Sequence, residues 1–520
     1  MDDRPLTDPQ LNGPVILDRS RHSISRRDID YDALKVLYRL NGHGFIAYLV
    51  GGAVRDLLLG RRPADFDIST DAHPNQIKKL FRNAFLIGRR FRLAHIRFQG
   101  GKIVEVSTFR RKPDEEELRA VREEEMRAAE AEKAREAAES AAPCAFDIPP
   151  DVAQDVEPRE SENEAQTPSA PGNDVVESPA DQPGEPDAVP LPPDQPGEPE
   201  IASSPAASEQ RKPIPIPGRP PLKPIAFGTP QEDAFRRDIT INALFYDIST
   251  YSVIDYVGGL DDLRQGRVRI IGDPDESYTE DPVRIWRVIR HASRLGFSIE
   301  ERTARAIPTH RHRLAAAPGS RLFEELNKDM KSGAARPFFE LARRHDLLPV
   351  ILGRLGDFYQ RSDDAFARLT EYLVALDAAV ARSAAPAAEL MYSLLLWPWA
   401  RTILADAEGD KPKVLYQAFR ECKPAALVPK GILLDAVQTL AIVEHMLEAL
   451  TSGRMRWALK KRAHYPFASR ITALLAQGTF GEGEDPFERI FDAQFGTGRP
   501  PEKRRRRRRP RRQNIPRPPS

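Results

Sequence analysis

Apolar positions recur at alternating helical and extended spacings up to about residue 108, vanish over a long polar interval, and return at almost wholly helical spacing to about residue 476. Over residues 31–42, Leu34, Leu37 and Tyr38, flanked by Val36, form a helical stripe that Gly42-His43-Gly44 ends. Residues 45–50 read as a short apolar strand turning at Gly51-Gly52. Residues 54–59 begin a second helix, stopped by Gly60. Residues 65–68 predict the next strand, and 74–81 a helix that Thr70 or Asp71 can cap. Residues 96–98 and 102–108 predict strands around Gly100-Gly101. Helices and strands alternating over so short a span predict a small α/β unit.

The interval that follows has a different character. Residues 114–142 are rich in Glu, Arg and Ala with no apolar stripe, which predicts a helix with nothing to pack against. Residues 149–224 are dense in Pro, Glu, Asp, Ser and Gly and repeat Asp-Gln-Pro-Gly-Glu-Pro from Asp181 and Asp194. They carry too little apolar surface to offset ordering entropy and are expected to be disordered. Beyond them, 239–247 and 253–256 read as a strand pair. After Gly258-Gly259 the spacing becomes helical: 281–295 with Pro282 at its start, 366–381, and 433–450. The most apolar stretch, 390–399, has the length of a buried helix and not of a membrane span.

At 520 residues the chain holds more than one domain, and its net charge of +1 hides a segregation. Between Pro113 and Gln210 lie 27 acidic and 6 basic residues, a net of −21; the remainder carries 50 acidic and 72 basic residues, a net of +22. The folded part is thus strongly basic, which favours a polyanion such as nucleic acid as partner. Cys144 and Cys422 support neither a disulfide framework nor a thiolate metal site. With no basic-then-apolar signal at Met1-Asp-Asp-Arg-Pro5, a cytoplasmic protein without membrane attachment is expected.

Candidate chemistry begins with Leu49-Val-Gly-Gly-Ala-Val-Arg-Asp56 followed by Asp65-Phe-Asp67. Two carboxylates at i and i+2 of a strand share a face and repel, and a divalent cation relieves the repulsion. Gly51 and Gly52 let a phosphate approach the backbone, and Arg55 adds a cation, so phosphoryl transfer from a nucleotide is the predicted chemistry. Asp-x-Asp also occurs in turns and caps; its place just after Gly-Gly-x-x-Arg-Asp favours metal binding. Two-metal transfer calls for a further carboxylate, with Glu105 and Asp238 both candidates. Asp238 could instead hold ribose hydroxyls. Arg236 and Arg237 offer forked donors to phosphates, and Asn242 could reach a sugar or base. On the 281–295 helix, Arg284, Arg287 and His291 share one side, with Arg290 near its edge. Asp281 and Arg284 can present acceptor and donor to a base edge, unless they serve in surface ion pairs. His345-Asp346 has no histidine cluster beside it and reads as a surface pair.

These strings, with Val104-Glu-Val-Ser-Thr-Phe-Arg110, Arg236-Arg-Asp-Ile-Thr-Ile-Asn-Ala-Leu244, Asp255-Tyr-Val-Gly-Gly-Leu260 and Glu280-Asp-Pro-Val-Arg284, resemble in order those of the class II nucleotidyltransferases, the family of bacterial poly(A) polymerases and CCA-adding enzymes. Leu86-Ile-Gly-Arg-Arg-Phe-Arg-Leu-Ala-His95, Arg321-Leu-Phe-Glu-Glu325 and the arginine-rich end look like the poly(A) branch. The resemblance implies an α+β fold: a small mixed-sheet nucleotidyltransferase head followed by an all-helical neck, body and tail. A flexible leader (1–30), a head (31–260) interrupted by the disordered acidic insert (113–225), a neck (261–340), a body (341–485) and a disordered arginine-rich tail (486–520) are the expected divisions. It implies Asp65 and Asp67 as ligands of two Mg²⁺ ions, Asp238 or Glu105 as the third acid, and Asp281 and Arg284 as readers of the base. It implies a polynucleotide adenylyltransferase that moves AMP from ATP to RNA 3′ ends and promotes RNA turnover, with the RNA-decay machinery as a further partner. Arg504, Arg505, Arg506, Arg507, Arg508 and Arg509 are expected to grip RNA phosphates. A CCA-adding tRNA nucleotidyltransferase and an RNA-binding protein with a dead site are the alternatives.

Overall fold

Alternating apolar side chains build a mixed sheet in which every second residue faces a helical layer. The computed structural model describes residues 13–88, 93–112, 116, 226–382, 386–481, 483 and 485–496. The expected helix at 114–142 (but for residue 116), the interval 149–224 and Arg504–Arg509 lie outside these residues. Ten strands form in the head: β1 (Val15–Leu17), β2 (Ala47–Val50), β3 (Asp67–Thr70), β4 (Ala84–Ile87), β5 (Leu93–Arg97), β6 (Ile103–Thr108), β7 (Arg110–Arg111), β8 (Ala226–Phe227), β9 (Leu244–Asp247) and β10 (Ser252–Asp255). Eight of them make one sheet in the order β1-β10-β9-β2-β3-β6-β5-β4; β7 and β8 pair separately. Within the large sheet only β3 and β6 run parallel, with Ile68 beside Val106 and Thr70 beside Thr108.

The back of the sheet carries Leu49, Ile68, Ala94, Ile96, Val104 and Val106. It packs on α1 (Tyr31–Gly42), α2 (Gly52–Leu58) and α3 (Pro74–Leu80) through Val36, Leu37, Leu40, Val54 and Ile77. This core runs without a break into the helical part. The front is different: a small cluster of Val50, Phe109, Phe245 and Val257 is covered by Ala234 of α4 (Pro230–Phe235). Thr229 and Glu232 form the capping box that starts α4.

Four local readings of the sequence change, the first in the expected disordered tail (486–520), where Pro486–Phe495 form a helix that buries Phe487 and Phe491. Residues 15–17, inside the expected flexible leader, form a strand paired with β10, and Leu17, Ile24 and Ile29 enter the core. In the expected strand 239–247 only Ile239, bridged to Ile270, and β9 are paired as strand. Thr240–Asn242 make a 3₁₀ turn, closed by Asn242 N–H to Ile239 O and Ala243 N–H to Thr240 O. β4 and α4 are additional elements.

The Asp255-Tyr-Val-Gly-Gly-Leu260 string is an anchor. The buried Asp255 carboxylate accepts from the backbone N–H groups of Val257, Gly258, Gly259 and Leu260, starting α5 (Gly259–Arg264). Gly259 lies so near the Thr240 carbonyl that a Cβ would collide with it.

After the head come α6 (Pro274–Glu280), α7 (Val283–Leu295), α8 (Glu301–His310), α9 (Gly319–Met330) and α10 (Ala335–Arg344), then further helices to Phe495. Arg290 of α7 is buried, not at a surface edge. It binds Glu325 and Asp329 of α9, and Asp329 also accepts from Trp286 Nε1 at 2.6 Å. The apolar run at 390–399 sits inside the buried helix Ala388–Ala405, and no described helix is long and apolar enough to cross a membrane.

Gly259→Ala is expected to lower unfolding free energy by about 1–3 kcal/mol, because the methyl overpacks against a backbone atom. Urea unfolding checks this; an unchanged midpoint would show that the turn has room to move.

Candidate active site

The site grows from the parallel pairing of β3 with β6. Ile68 lies beside Val106 with both side chains on the back, so Asp67 and Glu105 stand side by side on the front. Asp65, two residues before Asp67, adds a third carboxylate nearby. Burial pushes Asp67 up to about 7, the charges of Asp65 and Glu105 push in the same direction, and Arg237 opposes them. Glu105 also pairs with His95 at 3.2 Å. Asp238, the other candidate for the third acid, pairs with Arg287 of α7 at 2.6 Å, so its carboxylate fastens the head to the helical part.

Hard carboxylate oxygens on one face suit Mg²⁺, which takes one or two carboxylates and completes its shell with water and phosphate oxygens. Asp65 and Asp67 fit that demand. Among the described residues, no group of three or more His, Cys, Asp or Glu side chains is gathered closely enough to hold an ion by itself.

The two arginines are set by a residue that the motif reading passed over. Asp233 of α4 is buried and accepts from Arg236 Nε at 2.9 Å and from Arg237 Nε and Nη2 at 3.1 and 2.9 Å. Arg237 Nη2 also donates to Ser69 Oγ at 3.3 Å, which brings the guanidinium onto the carboxylate face. The spacing Asp-x-x-Arg-Arg was the available signal, since i,i+3 and i,i+4 neighbours meet on a helix.

Gly51 begins α2 with φ of +72°, a conformation that favours glycine, and its N–H donates to Leu244 O. Arg55 is buried. Its Nη1 donates to Asn242 Oδ1 at 2.6 Å, and its Nε to Asp56 at 2.8 Å. Since Arg55 fixes which end of the Asn242 amide is the acceptor, Nδ2 donates to His291 Nε2, 3.2 Å away. His291 faces a donor at each ring nitrogen, since Arg55 Nη1 also lies 3.4 Å from its Nδ1. Burial and the charges of Arg55 and Arg287 hold it well below the ordinary histidine range, as a neutral ring. Arg55 and Asn242, expected at the nucleotide, thus lie in a relay from the Gly51 turn to α7.

Arg236, Arg237 and Arg284 line a cleft of 720 Å³ between α4 and α6, together with Phe235, Ser277 and Glu280. Asp281 and Arg284 take separate side-chain partners. Asp281 is gripped by Arg321 of α9 through two hydrogen bonds at 3.2 and 2.7 Å, while Arg284 Nη1 donates to Ser277 Oγ at 2.8 Å and Glu280 at 3.2 Å.

Comparison with known proteins gives a consistent result. A family model described as the Poly A polymerase head domain matches residues 47–159 and 201–269. One described as the probable RNA and SrmB-binding site of polymerase A matches residues 296–355. Poly(A) polymerase I of Salmonella typhimurium (strain LT2) is 30% identical over 507 residues, covering 94% of this chain and 87% of that protein. The CCA-adding enzyme of Bacillus pumilus (strain SAFR-032) is 28% identical over 300 residues, 58% of this chain and 49% of its own length. In fold, the chain is similar to the crystal structure of the Bacillus stearothermophilus CCA-adding enzyme in complex with CTP, with a TM-score of 0.51 and 18% identity over 89% of this chain and 81% of that one.

Asp67 is raised on folding, so the stability that its neutral carboxyl contributes is present at acid pH and is lost as pH rises through about 7. In EDTA, Asp67→Asn should therefore melt higher than the parent at pH 8 and close to it below pH about 4, near the ordinary carboxylate value. Melting curves that stay parallel across this range would contradict the crowding of charge at Asp67.

Proposed function

We propose a function from the premise that the chain belongs to the bacterial poly(A) polymerase I family, the polynucleotide adenylyltransferases. It adds AMP from ATP to RNA 3′ ends without a template. The observation that carries this reading is the crowding of the Asp65 and Glu105 charges on Asp67, with Arg237 laid beside them. The RNA 3′-hydroxyl bonds to the α-phosphorus of ATP, the α–β phosphoanhydride bond breaks, and pyrophosphate leaves. When bound at Asp65 and Asp67, two Mg²⁺ ions supply the charge neutralisation that the attacking hydroxyl and the leaving pyrophosphate need.

The chain's own residues do the rest. Arg236 and Arg237, held by Asp233, take phosphate oxygens. The Gly51-Gly52 turn admits the phosphates to the backbone at the start of α2. Arg284 reads the base in the cleft, since Asp281 is already engaged by Arg321 and acts by holding α7 and α9 together. The basic helical part and Arg504–Arg509 hold the RNA by its phosphates. The enzyme works in the cytoplasm and feeds RNA turnover.

With a generic RNA, Mg²⁺ and each nucleoside triphosphate supplied singly, ATP should be used and CTP should not. CTP used on tRNA lacking its end, with a halt once C, C and A are in place, would assign the chain to the CCA-adding branch. Asp67→Asn should lower the rate on the order of a thousand-fold while RNA affinity holds. Parent protein that binds RNA yet transfers no nucleotide would make it an inactive RNA binder.

A further inference from the structure

The front of the sheet continues past the carboxylates to the β4 edge, where Phe85 is exposed, while the His95 side chain midway is only 17% exposed. Register fixes what stands there: Phe85 lies opposite His95, His95 opposite Glu105, and Glu105 beside Asp67. Their back-face neighbours Ala84, Ala94, Val104 and Ile68 are buried, so the four side chains form one transverse row on the front. Strands are spaced about 4.8 Å apart, so three steps separate Phe85 from Asp67, about 14 Å or the length of a few nucleotides.

The far end of this row has the wrong chemistry for plain solvent exposure. Phe85 is 49% exposed, Ile87 41% and Ile103 43%, and all three project from the same face. The Arg97 guanidinium lies over the Phe85 ring, 4.5 Å from its centroid. An exposed aromatic ring with a cation on it, at the sheet edge and in line with an acidic transfer site, suits a base that stacks and a phosphate that follows. The negative charges sit only at the other end, where a strand would present its terminal hydroxyl.

We propose that this strip seats the last nucleotides of the RNA, with a base stacked at Phe85 and Arg97, so that the strand crosses His95 and its 3′-hydroxyl arrives at Asp67. The inference rests on the adenylyltransferase reading for the identity of the strand. It differs from that reading in assigning a base-stacking seat to the β4–β5 face, apart from the basic helical part.

The test measures binding of a short oligoadenylate of about five nucleotides to the full chain without ATP, and separately the KM for RNA and for ATP during tailing. Phe85→Ala and Arg97→Ala should each weaken oligoadenylate binding and raise the KM for RNA on the order of ten-fold, with the KM for ATP unmoved, and Phe85→Tyr should restore both. The exposure of Phe85 makes the variants fold, which circular dichroism verifies. Unchanged binding in both alanine variants overturns the proposal, even if the parent adds AMP. A parent dimer that Phe85→Ala turns into a monomer also overturns it, by assigning the strip to a second copy. A parent that binds oligoadenylate through Phe85 but transfers CMP supports the seat and defeats the adenylyltransferase reading instead.

Discussion

Negative charge crowded at the start of β3 is the constraint on which the site depends. Parallel pairing puts Glu105 beside Asp67, and Asp65 adds to the same field. The arrangement is unfavourable alone, as the raised proton affinity of Asp67 records. A fold keeps such a feature only if surrounding structure determines it, and here the back-face core does so: Ile68 and Val106 bury their side chains and thereby force their neighbours forward. In the proposed function this is the seat that a cation and the nucleotide phosphates would take. Arg237 alone leaves the charge unbalanced.

The other groups are positioned by buried polar contacts that link head to helices. Asp233 aims two arginines from one short helix. Asn242 is held by Arg55 on one side and holds His291 on the other, while Asp238 pairs with Arg287 one turn before His291. Two contacts four residues apart on α7 thus fasten the helix that carries Arg284 to the turn that carries Gly51. This fastening sets the distance between the Gly51 turn and Arg284. Arg290, bound to Glu325 and Asp329, secures the other side of α7. Removing one partner from such a buried group leaves an uncompensated charge, which costs more than the pair ever contributes.

Much of this was legible in the chain. Helical spacing located α1, α2, α3 and α7, and the pairing of Asp65 with Asp67 anticipated their charge interaction, although β3 begins only at Asp67. The place of Glu105 beside Asp67 was not legible, because it depends on β6 returning beside β3 after α3, β4 and β5, and no local pattern carries that register. β4 escaped notice since Ala84–Ile87 is apolar on both faces, a run with no alternation to read. β1 has only Leu17 buried, and α4 is too short for periodicity, although Thr229 and Glu232 announce its start. Arg55 and Asn242 were assigned to the ligand by residue type; burial and mutual hydrogen bonding could be learned only from the fold.

The central claim is most directly tested by diffraction from crystals of the chain soaked with Mn²⁺ and a non-hydrolysable ATP analogue. The account predicts anomalous scattering against the Asp65 and Asp67 carboxylates, with the analogue's phosphates turned toward Arg237. Anomalous density elsewhere on the head, or a nucleotide bound with no ion at these two residues, would contradict it.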